Sequence, residues 1–143
     1  VFAPRMKLED HLARHRVADL FIDTLPYNAH TTASDALWAG LPVLTQIGQS
    51  FASRVAASLL NAMNLPELIT KTQQEYESRA IELADDPLQL NKIRQKLEQN
   101  RQTSQLFNGQ LFARHIEAAY TEIHRRHLNG EKPENIDVEA LMK

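Results

Sequence analysis

Short apolar runs alternate with stretches of helical periodicity, and this alternation restricts the fold more than any other feature of the sequence. The runs Leu20–Ile22, Val43–Thr45 and Leu65–Ile69 have the length and composition of buried strands. Between them, apolar residues recur at helical spacing over 6–16, 32–39 and 52–63. Strands that alternate with helices form parallel sheets covered by helices. The sequence therefore predicts an α/β fold with a partial Rossmann-like parallel sheet.

The character changes to helices alone from Gln73 onward. Apolar stripes at helical spacing run through 76–84, 87–97 and 112–123, and Asp86 before Pro87 is typical of a helix start. We expect these C-terminal helices to pack on the sheet or on a partner domain. The polar residues 129–143 predict a loosely held tail, so that the domain proper covers 1–128.

Composition excludes several classes of function. The 143 residues, 43% of them hydrophobic, suit one packed domain or the larger part of one. With 16 basic and 18 acidic residues, the net charge of -2 provides no field for binding nucleic acid or an anionic membrane. The absence of cysteine rules out disulfides and thiolate chemistry. No apolar run has membrane-spanning length, and the N-terminus has no signal-peptide pattern, so we expect a soluble, cytoplasmic protein.

The segment 23–35 carries the candidate chemistry, because it lies between a predicted buried strand and the start of a helix. In open parallel sheets, ligands bind at the carboxyl ends of strands, where helix N-termini present free N–H groups to anions. His30, Thr31 and Thr32 stand at this place. An imidazole, two hydroxyls and these N–H groups would hold a diphosphate without a metal. Asp35, one turn into the helix, would accept hydrogen bonds from a ribose diol.

Structural interpretations compete with this one. Thr32 and Asp35 also have the spacing of a helix capping box, and on spacing alone capping is favoured because caps greatly outnumber ligand sites. Trp38 lies in an apolar helix, for which packing against the sheet is the default expectation. The pairs His11/His15 and His124/His127 have metal-compatible spacing but no well-placed third ligand, so we predict no metal site.

Four separated blocks, in order, resemble one family of enzymes. They are Ala18–Thr24, Asn28–Thr32, Asp35–Pro42 and Ala52–Ser58, and the likeness continues through Glu67–Ile69, Gln74–Tyr76 and Leu106–Asn108. The chain resembles the O-GlcNAc transferase and SPINDLY family of protein glycosyltransferases over nearly its whole length. The resemblance implies the C-terminal, nucleotide-sugar-binding lobe of a GT-B enzyme with two Rossmann-like lobes, usually preceded by tetratricopeptide repeats.

The resemblance also implies a reaction. The expected activity is transfer of N-acetylglucosamine from UDP-GlcNAc to serine or threonine of an acceptor protein, with inversion and without a metal cofactor. Alternatives are a relative that uses UDP-glucose or GDP-fucose, and a non-catalytic binding or scaffold module. The segment Val1–Pro4 resembles the end of a strand, and the family has two further strands before it. We therefore expect a lobe truncated on its N-terminal side and inactive alone.

Site residues follow from the resemblance position by position. His30, Thr31 and Thr32 match residues that contact the donor diphosphate, and Asp35 matches the ribose-binding acid. The general base lies upstream or on the substrate in this family, so no catalytic base is assigned.

Two further residues match the nucleoside side of the family's donor site. His11 and Arg14 lie where the family has a histidine and a basic residue near the nucleoside. Family enzymes carry a lysine three residues before that histidine, whereas this chain has Leu8 there with Lys7 adjacent. The contacts to the nucleobase therefore stay open.

Overall fold

The computed structural model describes residues 4–138, which fall into two compact units divided between Ser104 and Gln105. The predicted strand at Val1–Pro4 lies, apart from Pro4, outside the described residues. The helices of the first unit are α1 (Leu8–Arg14), α2 (Thr31–Trp38), α3 (Val55–Ala62), α4 (Gln73–Asp85) and α5 (Pro87–Thr103), with single 3-10 turns at His15–Val17 and Pro66–Leu68. Its strands are β1 (Phe21–Ile22), β2 (Val43–Gln46) and β3 (Ile69–Thr70).

The described strands form a three-stranded parallel sheet in the order β1-β2-β3. Phe21 is opposite Val43 in the first pair, and Thr45 is opposite Ile69 in the second. The central strand β2 is buried from Val43 to Thr45, as expected for a parallel strand covered on both faces. The α/β architecture predicted from the alternating pattern is confirmed.

The third predicted strand, Leu65–Ile69, is wrong in its first part. Pro66–Leu68 forms a 3-10 turn, and the extended backbone begins only at Ile69. Pro66 has no N–H for a ladder hydrogen bond, and its fixed φ favours a tight turn. Leu65 and Leu68 are fully buried all the same. The apolar signal was therefore one of burial and did not distinguish a strand from a turn.

Helix α3 begins later than its apolar pattern predicts. The pattern starts at Ala52, but residues 52–54 form turns and the helix begins at Val55. In this turn the Ser53 N–H donates to the Ser50 carbonyl at 3.2 Å, and the buried Ser53 hydroxyl lies 2.9 Å from that of Ser50. These serine contacts compete with a helical start. The carbonyl of Ala52 is consequently free to bind elsewhere.

Trp38 does not pack in the core, contrary to the prediction. Its side chain is 50% exposed at the end of α2, whereas Ala33, Ala36 and Leu37 form the buried face of that helix. The guanidinium of Arg101 lies 5.8 Å from the indole ring centroid and donates to the Trp38 carbonyl at 2.6 Å. The indole therefore takes part in a cation–π contact at the surface.

Of the C-terminal apolar stripes, the one in α5 is buried as predicted, whereas Phe112, Tyr120 and Ile123 of the stripe over 112–123 are each more than half exposed. Leu90, Ile93 and Leu97 of α5 are buried, and Asp86 caps that helix by accepting from the N–H groups of Leu88 and Gln89, both at 3.0 Å. The interpretation of Asp86 as a helix start is confirmed. In the part of the chain that the structure describes, no helix is both long and apolar enough to cross a membrane.

The second unit contains a 3-10 turn at Gln105–Phe107 and helix α6 (Gly109–Leu128). Residues 131–137 have no helix or strand, yet ion pairs connect them to α6. Arg125 lies 2.9 Å from Glu131, Arg126 contacts Glu134 at 2.5 Å, and Glu122 accepts from both arginines at 2.7 Å. Hydrogen bonds from these arginines lower the pKa of Glu122 to about 2. The segment is polar as predicted, but it is held by more contacts than its composition indicated.

Candidate functional site

A groove lies at the carboxyl end of β1, where the chain leaves the sheet and turns into α2. It encloses about 430 Å³. Its lining consists of Phe21, Ile22, Asp23, Thr24, Tyr27, Asn28, Ala29, His30, Thr31 and Thr32. This is the edge at which open parallel sheets bind ligands. The structure thus brings together the three predicted diphosphate residues at the predicted edge of the sheet.

Asp23 fixes the loop that shapes this groove. The side chain is 4% exposed, and one carboxylate oxygen accepts from the Ala29 N–H at 2.7 Å while the other accepts from the Thr45 hydroxyl at 2.6 Å. Two such bonds to a buried carboxylate are charge-assisted and compensate its burial. Both carboxylate oxygens of Asp23 therefore serve to attach the loop to β2.

Asn28 secures the same loop from the other side. Its amide Nδ2 donates to the Thr24 carbonyl at 3.0 Å, and its backbone N–H donates to the Ala52 carbonyl at 3.0 Å. The side-chain oxygen is buried and has no hydrogen-bond partner among the residues that the structure describes. Asn28 therefore presents an unused acceptor next to the groove.

His30 is held on three sides at the junction of the loop and α2. Its Nε2 lies 3.2 Å from the Ala52 carbonyl oxygen. The ring stacks on Tyr27, with centroids 4.7 Å apart and planes inclined by 24°, and Phe51 meets it edge-on at 6.1 Å. These contacts fix the orientation of the imidazole within the groove lining.

The N-terminus of α2 opens into the groove. His30 is the residue before the helix and makes no side-chain capping bond. Thr31 and Thr32 are exposed, and within the described chain the N–H groups of residues 31–33 donate to no other residue. Free N–H groups at a helix start, at the positive end of its dipole, attract anions.

The capping-box interpretation of Thr32 and Asp35 is therefore wrong. Thr32 is the second residue of α2, and a capping side chain has to precede the helix. Asp35 does not bond back to the helix start; its carboxylate lies 3.9 Å from the Nε2 of His11. Because both side chains are about a quarter exposed, they remain accessible to a ligand.

His11 of α1 and Asp35 of α2 form a contact between the two helices, and neither residue lines the groove. The rings of His11 and His15 meet edge-on with centroids 5.0 Å apart, and His15 donates its Nδ1–H to the His11 carbonyl at 2.9 Å. In the described residues no group of three or more histidine, cysteine or acidic side chains has a metal-binding arrangement.

Comparison with known proteins identifies the family. The sequence model described as glycosyl transferase family 41 matches residues 1–116. The chain belongs to glycosyl transferase family 41.

Named relatives show how much of a family member this chain represents. It is 38% identical over 130 residues to a UDP-N-acetylglucosamine–peptide N-acetylglucosaminyltransferase of Caenorhabditis elegans, covering 91% of this chain and 11% of that protein. It is 34% identical over 132 residues to a SPINDLY protein of Hordeum vulgare, covering 92% of this chain and 14% of that protein. The chain thus spans 11% to 14% of the length of these relatives.

A solved structure supports the fold. A mutant of the Thermobaculum terrenum O-GlcNAc transferase superposes with a TM-score of 0.74 at 36% identity, over 82% of this chain and 22% of that one. The parallel sheet followed by helices is therefore that of part of the C-terminal lobe of a GT-B glycosyltransferase. The family predicted from the four sequence blocks is confirmed.

Arg14 stands apart from the other predicted site residues. Its guanidinium donates to the Pro4 carbonyl at 3.5 Å, and its side chain lines a different cavity, together with Val17 and Leu41. The structure thus brings His30, Thr31 and Thr32 together in one groove, joins Asp35 to His11, and leaves Arg14 outside both groups. Its role near a nucleoside stays a prediction.

Several residues that shape the site were not predicted from the sequence. Tyr76 of α4 donates its hydroxyl to the Asp23 carbonyl at 2.5 Å, and burial, followed by the nearby Asp23 charge, raises its pKa. Phe51 and Ala52 approach His30 from the turn before α3. Tyr76 and Ala52 do fall within the blocks of family likeness, but nothing in a single sequence indicates contacts across more than twenty residues.

Proposed function

We propose that this chain supplies the donor site of a protein O-glycosyltransferase that transfers N-acetylglucosamine from UDP-GlcNAc to serine or threonine hydroxyls. The observation that carries the proposal is the convergence of unpaired N–H groups of α2 with His30, Thr31 and Thr32 in one groove. Family membership supports the reaction class, and two relatives are O-GlcNAc transferases by name.

The hydrogen-bond donors around this groove support a diphosphate as its ligand. Residues 31–33 offer backbone donors at the positive end of a helix, and the exposed hydroxyls of Thr31 and Thr32 add further donors. These donors are held in position by Asp23 and Asn28 before any ligand arrives. Preorganised donors stabilise the charge that develops on a departing diphosphate, and that is the largest contribution they make to the rate.

The nucleoside binds beside α1 in this proposal. The Asp35 carboxylate accepts from the ribose hydroxyls, and His11 at 3.9 Å keeps that carboxylate oriented. Arg14 and Leu8 lie on the same helix and are the positions at which the nucleobase is read. Leu8 stands where the family resemblance implies a lysine. We therefore place the choice between uracil and guanine at the start of α1.

The reaction is a single displacement with inversion. An acceptor hydroxyl oxygen bonds to the anomeric carbon, the bond from that carbon to the diphosphate oxygen breaks, and the hydroxyl proton passes to a base. In this proposal the chain holds the leaving diphosphate, while the base, the acceptor site and the tetratricopeptide repeats belong to other parts of the polypeptide. No metal is needed for the charge stabilisation described here, since N–H and hydroxyl groups supply it.

Two measurements on the complete polypeptide that contains residues 1–143 test this function. The first incubates it with a library of serine and threonine peptides and UDP-GlcNAc, and records the mass that each peptide gains. The second displaces bound UDP-GlcNAc with UDP, with GDP and with UDP-glucose. The proposal predicts the mass of one N-acetylhexosamine and displacement by UDP ahead of GDP. Transfer of a different sugar, or stronger displacement by GDP, would favour a relative with another donor.

A Thr31→Val, Thr32→Val variant tests the contribution of the two threonine hydroxyls to peptide modification. It removes both hydroxyls but keeps the size and the backbone N–H groups of the helix start. We expect it to retain part of the activity, about tenfold reduced, because the backbone donors remain. Binding without any peptide modification by the wild-type polypeptide would instead support a non-catalytic binding module.

A further inference from the structure

The two ring nitrogens of His30 have different partners. Nε2 lies 3.2 Å from the carbonyl oxygen of Ala52. A carbonyl oxygen only accepts hydrogen bonds, so Nε2 has to carry a hydrogen and donate it. A neutral imidazole has one N–H group, which leaves a lone pair at Nδ1. Among the described residues Nδ1 has no hydrogen-bond partner, and the ring lines the groove.

A lone pair at Nδ1 cannot bond to a phosphate oxygen, because both atoms are acceptors. Only the imidazolium carries hydrogen on both nitrogens. Resting on the proposed donor site, we propose that His30 binds the donor diphosphate as an imidazolium, with Nε2–H on the Ala52 carbonyl and Nδ1–H on a phosphate oxygen. Donor binding at neutral or alkaline pH then takes up one proton from solution, and that proton stays on Nδ1.

The surroundings of His30 couple this proton to the ligand. Tyr27 stacks on the ring at 4.7 Å, a distance at which an aromatic face attracts a cation. The positive end of α2 begins at the next residue and acts against a cation while the groove is empty. A bound diphosphate reverses this balance, because its negative charge is attracted by the helix end and the imidazolium alike. Protonation and ligand binding therefore favour each other.

No charged side chain of the described chain forms an ion pair with His30 itself. On its own loop, Asp23 is bonded to Ala29 and Thr45, and on α2 Asp35 contacts His11 of α1. The remaining ionisable groups on the segments around the ring are Tyr27, Arg54 before α3, and Tyr76 of α4, which donates to the Asp23 carbonyl. The negative charge that stabilises the imidazolium has to come from the ligand.

Calorimetric titration of the complete polypeptide that contains this chain tests the proposal. UDP-GlcNAc is the probe, because each of its phosphates has one ester and one anhydride bond and therefore lacks the second ionisation of a terminal phosphate, at a pKa of about 6. Titrations at about pH 6 and about pH 8.5, each in two buffers of different ionisation enthalpy, report the protons taken up. We expect weaker binding at the higher pH, by up to about tenfold per pH unit, with uptake approaching one proton.

Two variants assign the proton to one atom. In His30→Asn the amide lies near the position of Nδ1, whereas in His30→Gln it lies near Nε2. We expect the asparagine variant to bind independently of pH, and the glutamine variant to bind about tenfold or more weakly than the wild type at about pH 6. A pH dependence that persisted in His30→Asn would assign the proton to another group, such as His11, and overturn the proposal.

The wild-type titration has three contradicting outcomes. Equal affinity at both pH values with no proton uptake would show that a neutral His30 is sufficient. Affinity that increased with pH would mean that Nδ1 accepts a hydrogen bond from a sugar hydroxyl. Absence of binding at every pH would overturn the donor site itself and this assignment with it, which separates the failure of the site from the failure of the imidazolium.

Discussion

The carboxylate of Asp23 accepts a hydrogen bond from the hydroxyl of Thr45 at 2.6 Å, and both side chains are buried. Asp23 directly follows β1, and Thr45 lies in the central strand β2. The other carboxylate oxygen binds the Ala29 N–H at 2.7 Å, one residue before His30. The bond thus connects the middle of the sheet to the loop that positions the candidate diphosphate site.

Replacing Asp23 by alanine tests this connection. The Asp23→Ala variant leaves the Ala29 N–H and the Thr45 hydroxyl without partners, and we expect the loop to lose about 2–4 kcal/mol of stability against local opening. Amide hydrogen exchange at Ala29 reports that opening directly. Thr45→Val is the matched control, because it removes one bond and keeps the other, and its effect should be about 1 kcal/mol. Equal exchange in the wild type and Asp23→Ala would contradict the assigned role.

Gly48 provides a steric test of the turn that carries Ala52. Its N–H donates to the Ser53 carbonyl at 2.8 Å, and an added Cβ would overlap the Ser53 side chain. We expect Gly48→Ala to destabilise the protein by about 1–3 kcal/mol and to weaken UDP-GlcNAc binding, because the turn also holds the carbonyl that binds His30. Urea unfolding and calorimetry measure the two effects.

Gly109 is the control for that substitution. A Cβ added there meets nothing within 4 Å, so Gly109→Ala should leave stability and donor binding close to those of the wild type. Similar behaviour of the two variants would show that the turn tolerates an extra methyl group and does not control His30.

The raised pKa of Tyr76 implies that this residue stabilises the folded protein less at alkaline pH. Because its pKa is raised on folding, its stabilising contribution is complete below the ordinary tyrosine pKa of about 10 and is lost as the pH rises through the raised value. We expect Tyr76→Phe to be less stable than the wild type by about 1 kcal/mol at about pH 8, with the difference shrinking above pH 10. Urea unfolding of both proteins at each pH measures it. The exposed Tyr120 provides the control substitution, which should show no such convergence.

The lowered pKa of Glu122 implies that contacts in the second unit weaken in acid. Its pKa is lowered from 4.5 to about 2, so the interaction with Arg125 and Arg126 is present above pH 4.5 and is lost as the pH falls toward 2. We expect hydrogen-exchange protection near Glu131 to decrease over that range, and to decrease less at high salt, because salt has then already weakened the ion pairs. In Glu122→Gln the pairs of Arg125 with Glu131 and of Arg126 with Glu134 remain, so the protection should be reduced at neutral pH but not abolished. Protection that was unaffected by acid would show that the ion pairs do not hold the segment.

The sequence predicted those parts of the fold that depend on local pattern. Val43–Thr45 is a continuous apolar run, which is the pattern of a parallel strand covered on both faces, and all three of its residues are buried. Asp86 marks a helix start through its own side chain. Leu65–Ile69 was predicted as a strand throughout because periodicity records burial, while the 3-10 turn depends on Pro66. Trp38 was predicted to pack on the sheet because it lies in an apolar helix, and its contact with Arg101, sixty-three positions away, is not visible in a local pattern.

In the candidate site, too, the residues of one local segment were predicted and the contacts between distant segments were not. His30, Thr31 and Thr32 were predicted from their place between a strand and a helix, and they line one groove. The contact between His11 and Asp35 joins residues twenty-four positions apart on α1 and α2, and no local pattern in the sequence indicates it. The assignment of these five residues to donor binding stays a prediction.

Calorimetric titration of UDP-GlcNAc, without added metal, tests the central claim most directly. The proteins to compare are the complete polypeptide that contains this chain, its His30→Ala, Asp35→Ala double variant, and an Asp10→Ala control on the exposed face of α1. The account predicts binding by the wild type and the control, and binding at least about a hundredfold weaker by the double variant. Equal affinity of all three proteins would contradict it and would locate the donor diphosphate and ribose away from His30 and Asp35.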